Sequence, residues 1–227
     1  MVIKELGTLI RGIVTLDFLK PIEDKVLYSF RSPTSVANWS IISDKKQIGG
    51  YSTGSFEWNP EGYASFKGNL SLALPQDNPK VTKSGYVGVY SPEKSFEFNV
   101  GDYKSIKIRA CTEGKAYGIG ILEKGNNRMV YKSMFTTIPD RWEEMEIPLT
   151  DFYRIVKGSV SLDLNPMELE CIDRIGFIQS ERHDGPFHLK VDYIKLIPKF
   201  DKPLDTFNQR RQALSRDQSS SSNNGIE

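Results

Sequence analysis

Between residues 26 and 198, short β-prone runs recur about every ten residues, each broken from the next by Gly, Pro, Asn or Asp. Many short strands with almost no helix between them mean a sandwich or a barrel. The segment 63–74 shows the strand period best. Ala64, Phe66, Gly68, Leu70, Leu72 and Leu74 share one face, and Ser65, Lys67, Asn69 and Ser71 take the other. Asn59-Pro60-Glu61-Gly62 joins it to the run 54–58, with Pro second and Gly fourth as a type I turn prefers, so the two runs predict a hairpin. Further strands are expected over 86–90, 95–100, 105–110, 116–122, 129–135, 142–148, 174–179 and 187–196. In the last, Phe187, Leu189 and Val191 share a face while Ile194 and Leu196 take the opposite phase. A bulge near Asp192-Tyr193, or cover on both sides, would account for that slip. Only 165–173 reads as a helical turn. Ten or so strands over about 170 residues fit an all-β, jelly-roll-like β-sandwich of two antiparallel sheets better than a small barrel.

The polar ends divide the 227-residue chain into an N-terminal amphipathic segment (1–25), the sandwich domain (26–198) and a polar tail (199–227). In the first, Ile3, Leu6, Ile10 and Ile13 fall on one helical face, which predicts a short helix ending before Pro21. The tail, rich in Ser, Asn and Gln, is expected to be disordered. The middle segment alone can bury roughly 70% of its unfolded surface, so it needs no disulfide or metal staple. Cys111 and Cys171 are accordingly expected to be free thiols. Thirty basic against 29 acidic residues argue against broad electrostatic binding of nucleic acid or anionic membrane. The longest apolar runs fall far short of a bilayer span. The N-terminus has no compact apolar core with a small-residue cleavage site, as a secretory signal would. It is also a poor mitochondrial presequence, because Glu5, Asp17, Glu23 and Asp24 offset its basic residues and Arg11 is its only arginine.

The chemistry-bearing residues do not converge in sequence. His183 and His188 sit in one loop-strand segment, and Asp184-Gly185-Pro186 between them is a simple turn; the cysteines are not at ligand spacing, so no metal site is expected. No serine stands in a nucleophile elbow. Glu144 and Glu146 share a strand face opposite Met145 and Ile147, as solvated carboxylates do. No catalytic residue and no cofactor is called for. The glycine-rich run Gly49-Gly50-Tyr51-Ser52 lacks the Gly-Lys-Ser/Thr of a phosphate loop and reads as a tight turn, with Ser43 and Asp44 offering polar side chains just before it. Ser43, Asp44, Gly49, Gly50, Tyr51, Ser52 and Trp58 are the candidate binding residues: a polar turn flanked by aromatic anchors.

In order along the chain, several elements resemble the complex I intermediate-associated protein 30 family. They are Ser43-Asp44 followed by Gly49-Gly50-x-Ser52; Ala64-x-Phe66-x-Gly68-x-Leu70; Gly85-Tyr86-Val87-Gly88-Val89-Tyr90-Ser91; Glu113-Gly114-Lys115-x-Tyr117; Trp142-x5-Pro148-Leu149-x-Asp151-Phe152; Ile175-Gly176-Phe177; and Gly185-Pro186-Phe187-x-Leu189. The resemblance implies a galactose-binding-like sandwich without catalysis. It also implies a place in the mitochondrion and protein partners, namely assembly intermediates of NADH:ubiquinone oxidoreductase and other assembly factors, with any membrane contact made through them. Cytoplasm is the alternative location. A carbohydrate-binding module, using surface aromatics as stacking platforms, is the alternative function.

Overall fold

A computed structural model describes residues 23–93, 100–123, 129–156, 159–161 and 172–199. The expected N-terminal helix, the polar tail, nearly all of the strand 95–100, Cys171 and most of the helical turn 165–173 lie outside these residues. Contacts divide the chain into Lys25–Ile197, which holds both sheets, and a second unit made of Met1–Asp24 and Pro198–Glu227.

Thirteen strands are described: β1 (Lys25–Ser29), β2 (Ser40–Ser43), β3 (Thr53–Asn59), β4 (Tyr63–Leu70), β5 (Val87–Tyr90), β6 (Tyr103–Cys111), β7 (Tyr117–Glu123), β8 (Met129–Phe135), β9 (Glu143–Pro148), β10 (Tyr153–Val156), β11 (Ser159–Val160), β12 (Ile172–Gln179) and β13 (Gly185–Pro198). They form two antiparallel sheets. One runs β3-β4-β13-β6-β9, with β1 added to β13; the other runs β11-β10-β8-β7-β12-β5-β2. The protein is a jelly-roll-like β-sandwich.

Alternation decides which side chains meet between the layers. Ile106, Ile108 and Ala110 of β6 are 1% exposed or less, as are Ala64 and Phe66 of β4 and Ile119 and Ile121 of β7. Each fully buried Phe or Ile of this kind contributes about 1.5–3 kcal/mol. Phe66 and Phe187 of the six-stranded sheet meet at 5.0 Å, and Phe187 reaches Tyr117 of the other sheet at 6.4 Å. From there contacts run to Phe135 and on to Phe177, each at 6.2 Å, so one aromatic chain stitches the layers together.

The β3–β4 hairpin forms as its sequence dictates, with the Gly62 N–H donating to the Asn59 carbonyl at 2.9 Å across the turn. Its second strand is shorter than the alternation predicts. β4 ends at Leu70, opposite Gly185, because β13 begins there and offers no ladder partner further on. The Leu72 N–H donates to Asp184 Oδ1 at 2.6 Å instead, and Leu74 is left 46% exposed. The phase slip in β13 is present. Val191 and Ile194 both face the core, three residues apart, so Asp192 and Tyr193 both turn outward. A short helix that periodicity did not predict, α1 (Asp44–Ile48), follows β2.

Candidate functional site

The turn singled out in the sequence is built around one carboxylate. Ser43 caps α1, its Oγ accepting from the Lys46 N–H at 3.4 Å. Gly49 closes the helix in the left-handed conformation (φ 78°), which glycine adopts without strain. This fold brings Asp44, fully buried, against two other segments. Its Oδ1 accepts from the Ser52 N–H at 2.9 Å; its Oδ2 accepts from Ser52 Oγ at 2.7 Å, Ser84 Oγ at 2.8 Å and the Gly85 N–H at 2.7 Å. The Ser71 N–H donates in turn to Ser52 Oγ at 3.0 Å. Burial pushes the Asp44 pKa up, but these four hydrogen bonds, led by the Ser52 hydroxyl, outweigh it and hold the carboxyl below the usual carboxylate range. Gly50 is required by contact: a Cβ there would stand 2.6 Å from Asp44 Cγ.

Ser43, Asp44 and Ser52 are therefore brought together, but not as free polar groups. Both Asp44 oxygens serve the fold, tying the end of β2 to the start of β3 and the approach to β5, and Ser52 carries the tie on to the end of β4. Tyr51 projects beside this knot, 48% exposed. Trp58 lies apart from it on β3, half-buried, with its indole nitrogen buried and unpartnered.

Sequence reasoning missed a second cluster, on the outer face of the six-stranded sheet. Asp192, turned outward by the β13 phase slip, is 3% exposed at its side chain. Its Oδ2 accepts from Arg109 at 2.5 Å and from Arg31 at 2.8 Å, while its Oδ1 is buried without a partner. The Arg109 guanidinium stands 5.0 Å from the Trp142 ring, and that ring meets Tyr63 at 5.5 Å. Tyr193 donates to Glu144, and its pKa is pushed up to about 12, first by burial and then by that carboxylate. Nearby, Ser65 Oγ and His188 Nε2 are 2.8 Å apart. Burial and then the charge of Lys190 hold the His188 pKa below its ordinary value, against the opposing pull of Glu113. The pairing of Ser65 and His188 arises because β4 and β13 are neighbours, which no local pattern reveals. The β13 phase slip was the one sequence signal for this cluster. Among the described residues no three His, Cys, Asp or Glu side chains come together as metal ligands do.

Comparison with known proteins places this architecture. Residues 28–191 match the family described as Complex I intermediate-associated protein 30. The chain belongs to that family. The mouse mitochondrial protein of that name is 29% identical over 182 residues, covering 75% of this chain and 55% of the mouse protein. The Neurospora crassa one is 26% identical over 212 residues, covering 78% of this chain and 74% of its own length. This chain thus spans about half the length of its mouse relative. Among solved structures, the family 11 carbohydrate-binding module of Clostridium thermocellum, in complex with a β-1,3-1,4-mixed-linked tetrasaccharide, superposes with a TM-score of 0.55 at 21% identity. That likeness covers 80% of this chain and 99% of the module, and it establishes the shared sandwich. The family match takes in the Asp44 knot and Trp142 and stops one residue short of Asp192.

Proposed function

We propose that this chain is a non-catalytic assembly factor for mitochondrial NADH:ubiquinone oxidoreductase, acting by protein–protein contact with assembly intermediates. Membership of the family across residues 28–191 carries the reading, together with the mitochondrial names of its relatives. The site geometry agrees with it. Asp44, the most deeply placed carboxylate of the predicted turn, is engaged on both oxygens by its own chain, so the turn supports a surface rather than a reaction. The partners recognised would be unfinished subcomplexes whose apolar surface is covered until the next subunit arrives, with binding concentrated in a few aromatic and arginine side chains.

Depletion of the protein tests this directly. Native gels of mitochondrial membranes are expected to show stalled subassemblies of NADH:ubiquinone oxidoreductase, with other respiratory complexes unaffected. Normal levels of the finished complex in cells lacking the protein would refute the assignment.

A further inference from the structure

We propose that the outer face of the six-stranded sheet, centred on Trp142, Arg109 and Tyr193, is where this chain docks on its partner, and that the partner presents carboxylates to it. The inference rests on the assembly-factor reading and names the surface that reading leaves open.

Three observations converge there. The first is the aromatic contact across the sheet. Tyr63 opens β4 and Trp142 directly precedes β9, and β13 and β6 lie between those strands. At about 4.8 Å per strand their backbones stand roughly 14 Å apart. The rings nonetheless meet at 5.5 Å, so both side chains lean over β13 and β6 and roof the row that holds Asp192 and Arg109. An aromatic pair held over a sheet face, with Arg109 against one ring, supplies Trp, Tyr and Arg together, the types that dominate binding energy at protein interfaces.

The second is the phase slip of β13. A regular strand would send one of Asp192 and Tyr193 into the core. The slip puts both on this face, where Asp192 meets Arg109 and Tyr193 donates to Glu144. It leaves Asp192 97% buried at its side chain, with its Oδ2 shared between the guanidinium groups of Arg31 and Arg109.

The third is charge. On this face β6 and β13 present Lys107, Arg109, Lys190 and Lys195 against Asp192 alone, and Arg31 adds a fifth cation from beyond β1. The edge strand β9 returns Glu144 and Glu146, the latter 3.9 Å from Lys107. Glu57 and Lys67 on the neighbouring strands pair with each other, and Glu113 and Asp140 act beside Lys190, so the surplus at the Trp142 end is carried by Arg31 and Lys195. Arg31 and Arg109 each spend one N–H on Asp192, and a guanidinium carries five. The Arg31 side chain is 65% exposed. Its spare donors can take a partner carboxylate bidentately without leaving Asp192 unpaired, because Arg109 stays in place.

The test uses the full chain, tagged and expressed in mitochondria, with captured subunits of NADH:ubiquinone oxidoreductase as the readout. Trp142→Ala and the double variant Arg31→Gln/Lys195→Glu are each expected to lower capture at least tenfold. The double variant should leave the melting temperature within a few degrees of wild type, which separates lost docking from lost folding. Capture by the wild type should fall as salt rises, whereas Met134→Lys, on the opposite sheet, should capture normally. Undiminished capture by the double variant and by folded Trp142→Ala would overturn the assignment of this face while leaving the assembly role intact. A wild-type chain that captures no such subunits would sink both. Binding of a neutral mixed-linked glucan oligosaccharide that is lost in Trp142→Ala, with capture of subunits unchanged, would make this a sugar site and also overturn the proposal.

Discussion

Asp44 shows how one buried charge can be stable when both of its oxygens are hydrogen-bonded. Removing it would leave the Ser84 and Ser52 hydroxyls and two backbone N–H groups without their acceptor, so Asp44→Ala is expected to cost about 3–5 kcal/mol in denaturant unfolding. Its pKa is depressed in the folded state. Its stabilisation is therefore complete above the unfolded carboxyl pKa of about 4 and is lost as pH falls through the folded value. His188 behaves in the opposite sense to a paired histidine. Folding lowers its pKa, so below about pH 6.5 the unfolded chain takes up the proton first and stability falls. Lys190 and Lys67 resist that proton and Glu113 invites it, and His188→Gln should flatten this part of the stability–pH profile. Urea titrations at pH 5 and pH 8 would show it. An equal pH slope in the variant would assign the effect to other groups.

At the scale of elements, the hairpin is held by a row in which Gly54, Gly68 and Phe187 stand side by side on β3, β4 and β13. A Cβ on Gly68 would lie 2.1 Å from the Thr53 carbonyl oxygen and 2.7 Å from the tip of the Phe187 ring. The first of these is backbone and cannot rotate away, so Gly68→Ala is expected to destabilise by about 2–3 kcal/mol, measurable as a fall in thermal midpoint. The alternation of β4 and β6 and the slip in β13 were legible because a period of two leaves its mark in every residue. α1 was not, since five residues are too few to show a helical period and its signature is a Ser cap and a closing glycine. The Leu72–Leu74 extension was misread because the end of a strand depends on where its neighbour stops, and that neighbour is more than a hundred residues away. The polar turn was found for its composition, yet its role rests on Ser84 and Gly85, forty residues downstream. The edges are also guarded: β2 and β11 are short, and β9 carries Glu144, Glu146 and Pro148.

For the molecule as a whole, both sheets and their shared core lie within Lys25–Ile197. A fragment spanning 23–199 is expected to unfold in a single cooperative transition, with a midpoint within a few degrees of the full chain by circular dichroism. Two transitions, or no folded baseline, would show that the flanking segments contribute to the core. Within that unit the chain returns on itself. β13, the last described strand, is not an edge: it lies between β4 and β6 and also takes β1, pairing Lys25 with Leu196. A ribosome or a translocation pore delivers residues in order, so the six-stranded layer lacks its centre until nearly all of this domain has emerged. Folding therefore awaits the late-delivered strand, and the earlier strands must be kept from wrong company until then.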